Sequence, residues 1–451
     1  MFTGGLMEMK ARKFWRIIAT SSLLSSMLLA GCSSSSSTTA KDSESSSGKK
    51  TVVWWTWNPG KEDVKEYVTA FEKSHPKIHV EVKSYQYNDY VNALKLSLPA
   101  GEGPDVFGVQ AGVMQKEFSS FMDDLTPNAE KAWGNDWENR FYELGLKQIQ
   151  EDSKTPALPF FVSAAGYIWY NNTILQKYGL KPPTTIQEWK EVSKTLQSKG
   201  VTPFIQGAKD AWINFDTYIA LANAIAPGKI YDAEAGKTSW TDPDLVKAMS
   251  NWKQLFDDGI MQKGALGISQ YPDSDDLFHK GEAAMITLGT WNGADMSKTS
   301  LETTNKTLGV SKTYEFLPAP FPGVDSPSKP QLFGGPDVSF AINKSSSVKD
   351  ASWEFIKWLD SEEAQKILAS KLNIPAVKGI NLDDSNTVTD AQKTAIKQML
   401  TDVENAVGKR EFLYPELQTA LADALQNVAT GKQSPEKAMK AVDDAFKAIQ
   451  K

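Results

Sequence analysis

The side chains of interest for chemistry in this 451-residue sequence are mainly aromatic rings and amides, because histidine and cysteine are scarce. The chain has 14 tryptophans, but only three histidines, His75, His79 and His279, and one cysteine, Cys32. It contains no Gly-x-Ser-x-Gly turn, no glycine-rich phosphate loop and no His-Glu-x-x-His motif. We therefore expect no Ser-His or Cys-His catalytic pair, no metal site rich in His and Cys, and no cofactor.

Aromatic and amide residues stand together in loops that follow predicted strands. Trp57 and Asn58 come after the β-branched and aromatic run Thr51–Trp55, and Gln110 comes after the predicted strand Asp105–Val109. An aromatic ring can stack on the apolar face of a sugar, whose hydroxyls then bond to amides at the ring edge. These loops are therefore candidate ligand contacts, although Trp57 could instead pack beneath a helix.

The segment from Phe333 to Asp337 combines an aromatic ring, two glycines and a carboxylate. The glycines would let the backbone approach a ligand closely, and Asp337 could accept bonds from two hydroxyls. An aspartate after Gly-Gly-Pro is also typical of a turn, so both interpretations stay open. Other tryptophans lie inside strand or helix patterns and are expected in the core: Trp54, Trp55, Trp169, Trp353 and Trp358.

The N-terminus has the pattern of an export signal. Four basic residues precede an apolar stretch from Ile17 to Ala30, which is followed by Gly31 and Cys32. The run Leu29-Ala30-Gly31-Cys32 resembles a bacterial lipobox, which implies that residues 1–31 are removed and Cys32 carries the lipid. The alternative is an ordinary secreted protein with a chance cysteine. Residues 32–50 are Ser-rich and polar, and we expect them to form a flexible tether.

Composition limits the partners of the remaining chain. A formal charge of −6 and a pI near 5.4 argue against a nucleic-acid partner, because phosphate binding favours a basic surface. After the signal, no apolar run approaches the roughly 20 residues of a membrane helix. We expect a monomer that is attached to the outer face of the cell membrane only through its lipid.

Strand and helix patterns alternate along the chain. Thr51–Trp55, Asp63–Ser74 and Ile78–Val82 predict a strand, a helix and a strand, and further helices are predicted at Lys349–Ser370 and from Ser434 as N-cap. Such alternation predicts an α/β fold with a parallel-rich sheet covered by helices on both faces. The length allows roughly two domains.

From Thr51 to its end, the chain resembles the extracellular solute-binding proteins of family 1, the maltose-binding-protein-like sugar receptors of ABC importers. Eight short motifs occur in the family's order, and together they are far more specific than any one alone. They are Val52–Asn58, Phe71 before His75-Pro76, Gly103–Val106, Leu158–Phe160 leading to Ile168–Asn171, Gly179-Leu180 with Pro182–Thr185, Phe278–Met285 with Gly289–Trp291, Gly334-Gly335 before Val338–Ile342, and Ala351–Leu359.

The resemblance implies a type II periplasmic-binding-protein-like fold, in which two lobes joined by a multi-crossing hinge enclose a ligand cleft. Transferred to this sequence, the crossings fall near Pro159, Thr290 and Asn343. The N-terminal lobe would comprise residues 51–157 and 292–342, and the C-terminal lobe residues 160–291 and 346–451. The implied partners are a carbohydrate and the permease subunits of an ABC importer.

The resemblance also assigns ligand contacts. Trp291 matches an aromatic platform of the family, with Asn292 beside it for the ring edge. Trp212 lies in a segment that supplies a second aromatic wall, and Tyr414 is near an aromatic position of the penultimate helix, slightly out of register. Phe160 and Phe161 stand at the first crossing, where they either floor the cleft or pack the hinge.

Two other function classes remain open. A glycosidase needs two carboxylates at a set separation, which cannot be recognised among 55 acidic residues. A receptor for an amino acid, polyamine or iron chelate would call for clustered charges, but after the signal arginine occurs only at Arg140 and Arg410. An aromatic and amide-rich cleft favours a neutral sugar longer than one ring.

Overall fold

The computed structural model describes residues 48–327, 329 and 331–450. The predicted signal peptide, Cys32 and nearly all of the tether lie outside the described residues. None of the helices in the described ranges is both long and apolar enough to cross a bilayer.

The described residues form α-helices and short strands in alternation, as expected for an α/β protein. The strands are β1 (Lys50–Thr56), β2 (Ile78–Ser84), β3 (Val106–Val109), β4 (Leu158–Ala165), β5 (Tyr167–Asn171), β6 (Met285–Leu288), β7 (Phe316–Pro320), β8 (Phe333–Ile342) and β9 (Ile374–Pro375). The helices are α1 (Val64–Ser74), α2 (Tyr87–Ala100), α3 (Val113–Phe118), α4 (Thr126–Trp133), α5 (Glu143–Ile149), α6 (Asn172–Lys177), α7 (Ile186–Ser198), α8 (Ala211–Ile225), α9 (Lys229–Glu234), α10 (Pro243–Asp257), α11 (Asp275–His279), α12 (Lys298–Leu308), α13 (Lys349–Leu359), α14 (Glu362–Ser370), α15 (Asp390–Glu404), α16 (Pro415–Ala429) and α17 (Pro435–Ile449).

The strands form two sheets. The larger has the order β2-β1-β3-β8-β4-β9, and the smaller has the order β6-β5-β7. Among the strands of the described residues, only β2, β1 and β3 run parallel, whereas the pairs of β8 with β3 and β4 and all pairs of the smaller sheet are antiparallel. The prediction of a parallel-rich sheet is therefore wrong beyond β3, because distant segments of the chain, not successive strand-helix units, supply the neighbouring strands.

Two hydrophobic cores support the sheets. Trp54 of β1 is fully buried in the first, where its ring lies 5.5 Å from Phe340 and 5.1 Å from Phe355. The second core is built around α8, α10, α16 and α17, with Trp252 donating from its indole to the Leu425 carbonyl at 2.9 Å. The long strands β4 and β8 contribute to both cores, so they connect the two halves of the molecule.

The last quarter of the chain, from α13 to α17, is divided between the cores. Helices α13, α14 and α15 place Trp353, Leu368 and Met399 in the first core, whereas α16 and α17 belong to the second. The predicted lobe segment 346–451 thus contains helices of both cores, and the lobe boundaries stay a prediction. The single helix predicted at Lys349–Ser370 is wrong, because Ser361 accepts a bond from the Ala364 N–H and starts a new helix there.

Candidate ligand-binding site

The parallel strands β1 and β3 bring two predicted loops to one edge of the sheet. Because these strands are neighbours, Trp57 and Asn58 after β1 lie near Gln110 after β3. The Thr56 hydroxyl accepts from the Asn58 N–H at 3.1 Å and donates to the Asn58 carbonyl at 2.5 Å, which fixes this turn. The Trp57 ring lies over Gly108, where a Cβ would approach it to 2.9 Å. Glycine at 108 therefore makes room for the half-buried indole.

Asp337 is the centre of a polar cluster, which we define as Asn58, Gln110, Ser163, Asp337 and Arg410. The buried carboxylate accepts from the Ser163 hydroxyl at 2.9 Å and from the Asn58 amide at 3.4 Å, and it lies 3.5 Å from the Arg410 guanidinium. Burial raises the pKa of Asp337, and the positive charge of Arg410 and the hydrogen bonds from Ser163, Asn58 and Gln110 oppose that rise. Ser163 was not among the contacts predicted from the sequence.

The turn interpretation of Asp337 is wrong, because Asp337 lies within β8. The glycines before it serve the packing of that strand. A Cβ on Gly334 would lie 2.2 Å from the Ser163 carbonyl oxygen, and one on Gly335 would lie 2.4 Å from the Gln148 amide oxygen. The glycines thus permit close pairing with β4 and contact with α5.

A second group of side chains forms an aromatic corner, which we define as Trp212, Tyr271 and Trp291. Trp212 stands in the first turn of α8, and Trp291 lies in the 3₁₀ segment Thr290–Met296 that follows β6. The Trp212 ring stacks on Tyr271 with centroids 5.9 Å apart and meets Trp291 edge-on at 6.3 Å. The Trp291 indole N–H donates to the Tyr271 hydroxyl at 3.1 Å. The two predicted tryptophans are therefore brought together and held by a tyrosine that the sequence reasoning missed.

Arg410 joins the aromatic corner to the polar cluster. Its guanidinium makes a two-pronged ion pair with Asp216 of α8, at 2.9 Å from Nε and 2.8 Å from Nη2. It lies 4.3 Å from the Trp291 ring centroid and 5.4 Å from that of Trp212. Its side chain is only 10% exposed. Neither Arg410 nor Asp216 was predicted as a contact. The only sequence feature that could have pointed to Arg410 is the scarcity of arginine after the signal peptide.

Acidic groups surround this arginine on several sides. Burial raises the pKa of Glu411 to about 7; Arg410 opposes the rise, and Asp216 and Asp337 add to it. A cavity of about 10 Å³ remains between Asp337, Arg410 and Glu411, with Gln110 and Gln148 also in its wall. That is room for about one water molecule. In the described part of the chain, no group of three His, Cys, Asp or Glu side chains is arranged to hold a metal ion.

Several predicted contacts lie apart from the two groups. Phe160 and Phe161 are fully buried in the first core, where Phe160 packs on Tyr67 and Phe340. These two phenylalanines are not brought to the aromatic corner, because β4 directs them into the sheet packing.

Phe333, Asn292 and Tyr414 are also placed elsewhere. Phe333 is fully buried in the second core. The Asn292 amide donates to Asp295 at 2.7 Å, so its side chain braces its own 3₁₀ segment. The Tyr414 ring packs against Phe446 and lies under the Lys116 ammonium at 4.8 Å. The structure therefore places Asn58, Gln110 and Asp337 in the polar cluster and Trp212 and Trp291 in the aromatic corner. The Trp57 ring packs on Tyr87 and Tyr90 of α2, with centroids 5.6 and 4.9 Å apart, as the packing alternative predicts. The other five predicted residues lie apart from both groups.

Comparison with known proteins decides the family. Residues 57–366 match the model of the family described as bacterial extracellular solute-binding protein, which is well over half of the chain. The chain belongs to this family. The match includes both strand-end loops, the aromatic corner and Asp337, but ends before Arg410.

Individual relatives of this solute-binding protein are distant. An uncharacterized ABC transporter extracellular-binding protein of Pyrococcus horikoshii is 28% identical over 244 residues, which span 53% of this chain and about half, 54%, of that protein. The galactooligosaccharide-binding protein of Bacillus subtilis is 24% identical over 389 residues, 83% of this chain and 84% of that protein. A solved chitin oligosaccharide binding protein, at 21% identity, matches the fold with a TM-score of 0.72 over 89% of this chain and 98% of its own.

Proposed function

We propose that this solute-binding protein captures a neutral carbohydrate, longer than one ring, and delivers it to the permease of an ABC importer. The observation that carries the proposal is the meeting of the aromatic corner with the polar cluster. An indole face and hydrogen-bonding side chains converge there from two different sheets and from α8. This is the pairing that a sugar requires, since its ring has apolar faces and a hydroxylated edge.

The placement of the contacts supports capture between two halves of the molecule. Asn58, Gln110 and Asp337 are positioned by the larger sheet, whereas Trp212 and Asp216 stand on α8 beside the second core. A ligand bound to both halves would hold them together, and the permease could read that closed arrangement. Capture and release of a ligand in this way need no catalytic group, so the proposed role is binding without chemical conversion.

The location of the protein is proposed from the sequence. The lipobox-like Leu29–Cys32 would place a lipid on Cys32 at the outer face of the cell membrane, and residues 33–50 would let the receptor reach its permease. Mass spectrometry of the mature protein tests this proposal. A mature N-terminus at Cys32 with an added diacylglyceryl group is expected, and an unmodified cysteine would contradict it.

Calorimetric titration of the wild-type protein tests the ligand class. The panel contains neutral mono- and oligosaccharides, amino acids and polyamines. We expect binding heat with at least one neutral oligosaccharide, and the sugar should be recovered intact after long incubation. Heat only with amino acids or polyamines would contradict the proposed ligand, and cleavage of the sugar would contradict the non-catalytic role.

A further inference from the structure

Arg410 covers the aromatic face that the proposed function assigns to a sugar. Its guanidinium lies 4.3 Å from the centroid of the Trp291 ring. Beside Asp337, the cavity that Arg410 helps to line is about 10 Å³, far smaller than a sugar ring needs. A ring can therefore stack on this face of Trp291 only if the guanidinium moves.

The contacts of Arg410 are of unequal strength. Asp216 holds it by two short, charge-assisted bonds of 2.9 and 2.8 Å, and Asp216 is almost fully buried. The contact with Asp337 is longer, at 3.5 Å. Asp337 has other donors in Ser163 and Asn58, so it can lose Arg410 without being left unpaired. The guanidinium is thus bound firmly to Asp216, and its contacts with Trp291 and Asp337 are weaker.

We propose that Arg410 competes with the ligand for the Trp291 face and for Asp337, so that sugar binding is an exchange with this side chain. The inference rests on the proposed function. A neutral ring supplies both contacts that Arg410 gives up, since its apolar face stacks on the indole and its hydroxyls donate to the carboxylate. Asp216 keeps the displaced guanidinium, which avoids leaving a buried charge unpaired. In its present position, Arg410 therefore lowers the affinity of the protein for the sugar.

The competition predicts tighter binding when Arg410 is shortened. In the double variant Asp216→Asn/Arg410→Ala, the guanidinium and its counter-charge are removed together, so no lone buried carboxylate remains at position 216. We expect the Kd of a neutral oligosaccharide that binds the wild type to fall by about tenfold in calorimetric titration. The matched control is Lys190→Ala/Asp258→Asn, which removes an ion pair of 2.6 Å elsewhere and should leave the Kd unchanged.

An unchanged or higher Kd in the folded double variant would overturn the inference. Arg410 would then have no effect on affinity or would itself bind the sugar. If the double variant does not fold, Arg410→Lys replaces it. That side chain keeps a positive charge opposite Asp216 but lacks the planar group that covers Trp291, so the Kd should again fall.

Acrylamide quenching separates failure of this inference from failure of the proposed function. The contribution of Trp291 is isolated by adding Trp291→Phe to the wild type and to the double variant. We expect Trp291 to be quenched more strongly in the double variant, with no sugar present. If no carbohydrate binds the wild type, the proposed function fails while this measurement still decides the inference, and unchanged quenching overturns it.

Discussion

Trp291 is the residue on which the proposed site depends most. Its indole is half-buried, fixed by the bond to Tyr271, and flanked by Trp212 and Arg410. Removing the ring should therefore cost ligand contact area more than core packing.

For Trp291→Ala we expect the affinity for a neutral oligosaccharide to fall at least about tenfold, since stacking and desolvation at one aromatic platform exceed ~1.4 kcal/mol. Calorimetry measures the affinity, and chemical denaturation should show little loss of stability. Tyr178→Ala, a partly buried aromatic outside the aromatic corner, is the control. Wild-type affinity in the Trp291 variant would remove this residue from the site.

Glu411 makes the stability of the site region depend on pH. Its pKa rises from 4.5 to about 7 in the folded protein, chiefly through burial. The folded state therefore holds a proton that the unfolded state releases between these values, and the free energy of unfolding falls as pH rises from about 4.5 to 7. In Glu411→Gln this contribution is absent.

Denaturation with urea from pH 4 to 8 checks this prediction. The stability of Glu411→Gln relative to the wild type should increase as pH rises across the window. A difference that stays constant with pH would show that Glu411 ionises normally.

At the residue scale, the sequence predicted contacts that follow strand ends and missed contacts set by distant packing. Asn58 and Gln110 could be recognised because parallel neighbouring strands end at one edge. Tyr271 and Asp216 could not, since nothing local distinguishes them until α8 and the chain before α11 pack together. The bond from the Asn292 amide to Asp295, three residues on, could not be foreseen either, and the role of Asn292 at the ring edge stays a prediction.

A buried histidine joins two of the elements that position Trp291. His279 at the end of α11 contacts Asp295 of the 3₁₀ segment through Nε2 at 2.8 Å, and its Nδ1 lies 2.9 Å from the Asp275 carbonyl oxygen. Burial alone would lower the pKa of His279, but Asp295 and Asp275 together raise it well above 6.5. The charged imidazole thus links α11 to the segment that carries Trp291.

Because the pKa of His279 is raised in the folded protein, its contribution to the free energy of unfolding decreases as pH rises. The stabilisation is fully present below about pH 6.5, the unfolded value, and is lost as pH rises through the higher folded value. His279→Gln should have a lower free energy of unfolding than the wild type, and this deficit should shrink as pH rises from 6.5 to 9. Urea denaturation measures it, with His75→Gln as the control at a partly exposed histidine. A deficit that grows with pH would contradict the charged pair.

At the scale of elements, local sequence patterns predicted helices and strands correctly where capping residues and apolar periodicity agree. The start of α17 at Pro435, capped by Ser434, is confirmed, as is the short strand β3. The break between α13 and α14 was missed, because apolar periodicity continues through the Ser361 cap. The direction of β8 was also unpredictable, since its partners β3 and β4 lie far away in the chain.

At the scale of the whole molecule, one hydrogen bond joins the first core region directly to the second. The Asn88 amide of α2 donates at 3.0 Å to Asp210, which precedes α8. Asp210 also accepts from the Gln270 N–H at 2.8 Å, so it is held in place on its own side. The bond thus links α2, in the first core region, to the start of α8, beside the second core.

Loss of this bond should shift the protein toward an open form. We expect Asn88→Ala to change the closed-to-open ratio by about fivefold, as one hydrogen bond is worth ~1 kcal/mol. Asn88→Asp should act more strongly, since it sets a second carboxylate against Asp210. Small-angle X-ray scattering should give a larger radius of gyration for both variants, with Asn88→Asp largest. Identical radii would mean that this contact does not govern closure.

The two-lobed solute-binding fold was predictable because eight ordered motifs mark it, whereas the division of 346–451 between two cores depends on packing that no motif records. The fold alone does not specify the ligand, which depends on the side chains of the site.

A crystal structure with a neutral oligosaccharide chosen by calorimetry would show which of these side chains bind the sugar. We predict one sugar ring stacked on Trp291, with a hydroxyl donating to Asp337 and further contacts to Asn58 or Gln110. A sugar bound elsewhere, or bound without contact to Trp291 and Asp337, would contradict the account.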